Sequence, residues 1–289
     1  MKKLIQFAKP IVERFPRLAM SYRSARDSWQ AYEEPQKTPM GFKLAGGDGT
    51  ALMKNGQHEP EETQIVKRIL SSVDIVINVG ANVGYYCCIA LSKEKYVVAF
   101  EPINLNLRYL LANIKANNWE SRIEVYPMAL SNKVSVIEMY GNATGSSLLK
   151  EWSRVPERYV ALVPSTTLDN ALDRRFQGKR CLIIVDIEGA EKFMLEGASL
   201  MIDMLPKPIW MMEILIFEPL SNVNSINPNL LSTFRIFRDN GYEAFTADRQ
   251  CRVIHPDEVE KIVKTGTNTL HTTNFLFIEE GKKHEFFNV

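Results

Sequence analysis

Four carboxylates stand at or just past the ends of predicted strands: Glu101, Asp186, Glu188 and Glu213. Upstream of them lies a turn of small residues, Gly80-Ala81-Asn82-Val83-Gly84. A carboxylate accepts hydrogen bonds from hydroxyl groups, takes a proton, or holds a hard cation. A turn with few Cβ atoms lets a ligand approach backbone amides. Glu101, at the end of the second strand of a β-α-β unit, suits the two ribose hydroxyls of a nucleoside. The other acids then have a proton or a cation to handle.

The elements that position these groups follow from the hydrophobic pattern. Val73 to Val79 is a short apolar run rich in β-branched residues and predicts a buried strand. The apolar stretch Tyr85 to Leu91 predicts a helix packed on the sheet. Tyr96 to Phe100 is the next buried strand, with Glu101 and Pro102 at its end. Strand, glycine turn and helix form a ligand-approach unit of open α/β sheets.

The turn excludes two common ligands. A dinucleotide loop needs G-x-G-x-x-G. Starting at Gly80, its second and third glycines would be Asn82 and Tyr85; ending at Gly84, its first two would be Val79 and Ala81. A phosphate loop needs Gly-Lys followed by Ser or Thr, and that tripeptide is absent. The remaining common ligand for such a turn is S-adenosyl-L-methionine, which has no phosphates. A turn without any ligand is the plain alternative.

Further along, Asn104 to Asn117 predicts a helix and Arg122 to Pro127 a third strand. Ala129 to Asn132 follows, where an adenine would lie against small residues. Lys133 to Tyr140 alternates like a strand. The cluster Thr144 to Ser147 reads as an ordinary turn or as a lip of an acceptor pocket. Thr167 and Asp169 open a helix, so Asp169 is read as structural. Cys181 to Val185 and Pro208 to Glu213 are buried strands, and Ile187 to Glu191 leads into a helix through Met201. Leu230 to Asn240 is a helix stopped by Gly241. Tyr242 to Phe245 and Thr273 to Ile278 supply the last strands.

Composition bounds the function. The chain has 289 residues, 45% of them hydrophobic, enough for a sizeable core. A net charge of +1 argues against a nucleic-acid partner. The four cysteines form neither a metal nor a disulfide pattern, and all but Cys251 fall in predicted core elements, which suggests a reducing, cytoplasmic setting. No apolar run reaches the ~20 residues of a membrane span. Residues 1–32 are strongly basic, with seven Lys or Arg against Glu13 and Asp27. They read as a helical appendage packed on the domain or on a second subunit. Contact with an anionic membrane surface is disfavoured, because Pro10 and Pro16 interrupt the helix. The reading divides the chain into an extension and loop over 1–58 and one catalytic domain over 59–289.

Taken in order, Val79-Gly-Ala-Asn-Val-Gly84, Phe100-Glu-Pro102, Thr167-Leu-Asp169, Val185-Asp-Ile-Glu-Gly-Ala-Glu191 and Asn274-Phe-Leu-Phe277 resemble the FkbM-type methyltransferases of the class I, S-adenosylmethionine-dependent fold. The resemblance covers about Asp74 to Ile278. It implies a Rossmann-like, seven-stranded, mostly parallel sheet with helices on both faces and the last strand antiparallel. It also implies O-methylation of sugars, glycans or polyketide-like acceptors. The family usually has aspartate where this chain has Asn78. Asn78 still hydrogen-bonds but brings no charge, which leaves the methionine ammonium to that bond or to another acid.

Cofactor contacts are therefore expected at Asn78, Gly80, Ala81, Asn82, Gly84, Glu101, Pro102, Ala129 and Asp186. Glu188 is the first candidate for general base and Glu213 the second, with Asp186 serving cofactor or acceptor. Glu191 sits where it would interact with a helix N-terminus. Asp186, Glu188 and Glu213 would alternatively hold Mg²⁺. His58, His255, His271 and His284 are scattered outside the motifs. The competing functional readings are a lapsed cofactor-binding protein, supported by Asn78, and an oxidoreductase, disfavoured by the turn.

Overall fold

The computed structural model describes residues 33–47, 50–140, 147, 160–218 and 225–287. The basic segment 1–32, most of the Thr144 to Ser147 cluster and the stretch 151–159 lie outside them. In chain order the elements are β1 (Gln36–Lys37), β2 (Lys43–Leu44), α1 (Ala51–Lys54), α2 (Pro60–Ile69), β3 (Ile75–Val79), α3 (Tyr85–Ser92), β4 (Tyr96–Phe100) and α4 (Asn104–Ala116). Next come β5 (Ile123–Tyr126), β6 (Ala129–Leu130), β7 (Ser135–Tyr140), β8 (Val160–Thr166), α5 (Leu168–Leu172), β9 (Cys181–Val185), α6 (Glu191–Glu196) and α7 (Ser199–Ile202). The chain closes with β10 (Ile209–Glu213), α8 (Leu230–Asp239), β11 (Tyr242–Thr246), β12 (Val253–Ile254), α9 (Pro256–Thr265) and β13 (Asn274–Glu279).

The central sheet is mixed and has eight strands rather than seven, in the order β12-β11-β13-β10-β9-β3-β4-β5. Strands β10, β9, β3, β4 and β5 run parallel, and β13 is antiparallel to both its neighbours, β10 and β11. The eighth strand is β12, two residues antiparallel to β11 at the edge. Two residues are too short to carry an alternation, so sequence periodicity passes over them. Strands β6, β8 and β7 form a separate sheet.

Side-chain alternation divides the core. Val76, Val97, Ala99, Leu182, Ile184, Ile209 and Met211 pack with α2, α3 and α4 on one face. Ile75, Ile77, Val79, Val98, Ile183, Val185, Trp210 and Met212 pack with α5 to α9 on the other. Period two then puts Asn78, Glu101, Asp186 and Glu213 on the α2–α4 side, because each lies two residues past a member of that face. One alternation thus builds the core and gathers the acids.

Two expectations change in detail. The single helix expected from about Glu191 through Met201 is two short helices broken at Gly197, where a Cβ would come within 2.4 Å of the Ser131 carbonyl oxygen. Cys251 is buried like the other three cysteines, and all four are free. Helix α9 was not anticipated, although its start carries a capping box between His255 and Glu258. Among the described residues no helix is long and apolar enough to cross a membrane.

Candidate functional site

The glycine turn is wired to both flanking strands. The amides of Gly80 and Ala81 donate to the Phe100 carbonyl at 3.0 and 2.9 Å, and the Asp186 amide donates to the Val79 carbonyl at 3.0 Å. Gly80 takes φ +79, and a Cβ there would sit 1.9 Å from the Asp186 carbonyl oxygen. Only glycine fits this contact between the tips of β3 and β9. Asn82 also has a positive φ of 52. Its Oδ1 is buried and makes no hydrogen bond among the described residues. A buried acceptor without a donor is costly, so this atom awaits one.

Glu101 lies against the turn and is 3% exposed. Its Oε2 accepts from the Asn82 amide at 2.7 Å; its Oε1 accepts from the Ile103 amide at 2.8 Å and from Asn106 Nδ2 at 3.3 Å. Burial pushes its carboxyl up, and these donors oppose the shift. Two donors fill the lone pairs of Oε1, so Oε2 keeps one open acceptor position. Accepting from two ribose hydroxyls at once requires the long Asn106 contact to give way. Pro102 follows, half-buried, where the chain turns towards Ile103.

Asp186, Glu188 and Glu213 come together: one carboxylate oxygen from each lies within 4.8 Å of the others. Asp186 is exposed at the tip of β9, with the other two acids beside it. Lost hydration pushes its carboxyl well up, and the Glu213 carboxylate beside it adds to the shift. Burial likewise pushes Glu213 up to about 7, with help from the charges of Glu188, Glu59 and Glu191. Two carboxyls this close do not both ionise readily, so the pair holds one proton near neutrality and titrates as a unit. Glu213 also accepts from Thr273 Oγ1 at 3.4 Å.

Glu188 adopts a left-handed backbone at φ 52, and its carbonyl accepts from Ser147 Oγ at 2.5 Å. Glu191 is 3% exposed and accepts from the Gly189 amide at 2.8 Å, the helix-start role read for it. Burial pushes its carboxyl up to about 8. Asp169 is structural, as read: it accepts from Leu200 N and Ser199 Oγ, while Thr167 caps α5.

Two of the residues expected at the cofactor have close protein neighbours. Asn78 is buried on the α3 side and donates Nδ2 to Cys87 Sγ at 3.4 Å. Ala129 is 5% exposed and packs in a small core with Ile103, Met139 and Val163. Other groups at the site were not anticipated: Asn106 on Glu101, Glu62 accepting from Asn274 Nδ2 at 3.1 Å, and Glu59 accepting from Tyr86 at 2.5 Å. Glu59 and Glu62 were legible only as polar residues at a loop end; their positions depend on how α2 docks.

The cleft therefore offers a glycine cradle, an unsatisfied amide oxygen and a group of mutually repelling acids. Such a site suits a ligand that brings both hydrogen-bond donors and positive charge. S-adenosylmethionine, with its ammonium, sulfonium and ribose hydroxyls, fits that description. The three clustered carboxylates also suit a hard divalent cation.

Solved structures similar to this chain include a methyltransferase FkbM from Methylobacillus flagellatus KT at 20% identity and a TM-score of 0.42, covering 71% of this chain and 44% of that one. The chain thus spans less than half the length of that protein. An O-methyltransferase from Bacillus cereus in complex with SAH aligns at 11% identity and a TM-score of 0.39, over 76% and 80% of the two chains. A precorrin-6y C5,15-methyltransferase from Geobacter metallireducens GS-15 aligns at 10% and 0.38, over 81% and 90%. No curated protein matches the chain. The family model described as the methyltransferase FkbM domain matches residues 78–244, more than half of the sequence, and the chain belongs to that family.

Proposed function

We propose that this chain is an S-adenosylmethionine-dependent O-methyltransferase acting on a hydroxyl of a sugar, glycan or polyketide-like acceptor. The observation that carries the reading is the convergence of the Gly80–Gly84 turn, Glu101 and the Asp186–Glu188–Glu213 group at one end of the parallel strands, on one face. Open α/β sheets bind ligands at that end.

The cofactor supplies a methyl group on a positively charged sulfur. The protein's own work is alignment, exclusion of water and proton transfer. The turn and Glu101 hold the nucleoside end, with Asn82 Oδ1 accepting one of its donors. Asp186 stands on the methionine side. The carboxylate form of Glu213, which titrates near 7, accepts the hydroxyl proton as the acceptor oxygen becomes an ether. Glu188 lies beside it and orients the acceptor or shares that proton. The acid-lined cleft disfavours acceptors with anionic groups next to the reacting hydroxyl.

The same three carboxylates favour a second reading, in which Mg²⁺ bound there polarises the acceptor hydroxyl. Incubation with isotope-labelled methyl donor and a panel of sugars, glycolipids and polyketide-like alcohols, with and without a chelator, tests both. An O-methylated product insensitive to chelation supports the carboxylate mechanism. Chelator-sensitive transfer supports the metal reading. Cofactor binding without transfer to any acceptor points to a lapsed enzyme.

A further inference from the structure

The neutral side chain of Asn78 faces Cys87 and brings no charge to the cleft, yet a carboxylate arrives from outside the family-matched region. Glu59 precedes α2 and takes a left-handed backbone, φ 41 and ψ 66, without capping the helix by its side chain. That conformation is uncommon for a non-glycine residue. Its Oε2 accepts from the Tyr86 hydroxyl at 2.5 Å, and Tyr86 lies in the first turn of α3, directly after the glycine loop. Its Oε1 is 3.5 Å from His58 Nε2, and the His58 ring packs edge-on against Tyr85, which packs against Tyr86. The side chain is 32% exposed, so it remains open to a ligand.

These contacts set Glu59 over the start of α3, and its charge is felt at both Asp186 and Glu213. A nucleoside held by Glu101 at the tip of β4 directs its other end across β3 towards β9, where Asp186 stands. Glu59 stands beside that path, held against the first turn of α3 just past the β3 tip. We propose that Glu59, braced by Tyr86 and His58, is the carboxylate that binds the ammonium of the cofactor's methionine moiety in place of an acid at position 78. The segment before the family-matched region thereby completes the cofactor site. This inference rests on the cofactor reading above.

The test uses the full chain and two ligands that share the adenosine thioether. S-adenosylhomocysteine carries the amino-acid moiety; 5′-methylthioadenosine lacks it. Calorimetry with Glu59→Gln should show about tenfold weaker binding of S-adenosylhomocysteine, the loss of one charge-assisted hydrogen bond, and unchanged binding of methylthioadenosine. Tyr86→Phe, which frees Glu59 but keeps its charge, should show a smaller loss with the same selectivity. Equal weakening of both ligands would make Glu59 a prop of the loop and overturn the proposal. Unchanged binding of S-adenosylhomocysteine in Glu59→Gln would overturn it too. If the unmodified protein binds neither ligand, the cofactor reading itself fails and takes this inference with it.

Discussion

The amide of Asn82 donates to the Glu101 carboxylate at 2.7 Å, and this bond joins the glycine turn after β3 to the tip of β4. The acid that would hold a nucleoside therefore also holds the shape of the turn. Glu101→Gln replaces one acceptor oxygen with an NH₂ group, leaving a donor facing a donor among the amides of Asn82, Ile103 and Asn106. The expected outcome is a loss of about 1–3 kcal/mol of folding stability by chemical denaturation. Affinity for S-adenosylhomocysteine should fall roughly tenfold to a hundredfold by calorimetry.

Glu188 should behave differently. Its backbone carbonyl, not its side chain, receives Ser147 Oγ, so a side-chain change leaves that bond intact. Glu188→Gln is expected to keep cofactor affinity within about twofold and to lower turnover by roughly tenfold, less than the ~100-fold loss of a group that carries the proton alone. Parallel losses of affinity in Glu101→Gln and Glu188→Gln would show that the two acids do not divide the work.

Gly80, Gly84 and Gly178 all have positive φ but differ in surroundings. A Cβ on Gly80 would sit 1.9 Å from a backbone oxygen, on Gly84 2.4 Å from the side-chain end Leu110 Cδ1, and on Gly178 would meet nothing within 4 Å. Alanine at Gly178 should cost about 1–2 kcal/mol, the strain of a left-handed backbone alone. Gly84→Ala should cost more, and Gly80→Ala the most, since a carbonyl between two buried strands cannot step aside. Denaturation midpoints for the three variants give the order directly.

Glu191 sets a pH dependence of stability. Its carboxyl is pushed up to about 8 when folded, against an ordinary value of 4.5. Between those values the folded chain keeps the proton and the unfolded chain has lost it. This contribution is therefore fully present below about pH 4.5 and declines as pH rises towards 8. Glu191→Gln keeps the acceptor for the Gly189 amide and cannot ionise. The variant should unfold at a midpoint that varies less between pH 5 and 8 than the unmodified protein, as denaturation across that range would show.

Much of this arrangement was legible in residue types. The apolar runs before Gly80, Glu101, Asp186 and Glu213 read as strands with the acids at their ends, and the pairing of those strands then sets the acids on one side. What stayed hidden depends on tertiary docking. Glu59 carries no local signal beyond preceding Pro60; it reaches the cleft because α2 packs Ile65, Val66 and Ile69 against the sheet. Asn78 looked like a ligand contact by position, and only the packing of α3 reveals Cys87 as its partner. The residues 256–265 hold a clear apolar repeat at Val259 and Ile262, and the pattern was there to be read. The edge strand β12 was not, since pairing with β11 alone defines it.

The last prediction concerns the proton held between Asp186 and Glu213. The groups whose charges act on this pair are Glu59 ahead of α2, Glu101 after β4, and Glu188 and Glu191 beside β9, all acidic. With Glu213 near 7 and Asp186 pushed well above the usual carboxylate range, Glu213 ionises through neutrality while Asp186 keeps the proton they share. A ligand carrying positive charge favours the ionised form of Glu213, so its binding expels that group's proton. Affinity for S-adenosylmethionine should rise with pH through about 7 and level off above it. Calorimetry in two buffers of different ionisation enthalpy should record a net release approaching one proton near pH 6, where Glu213 is protonated before binding. Glu213→Gln removes the coupled titration and should flatten the rise, whereas methylthioadenosine, which is uncharged, should show little pH dependence even with the unmodified protein. A cofactor affinity that falls with rising pH would mean that the cation does not meet these carboxylates, and the placement of its charged end beside Asp186 would be wrong.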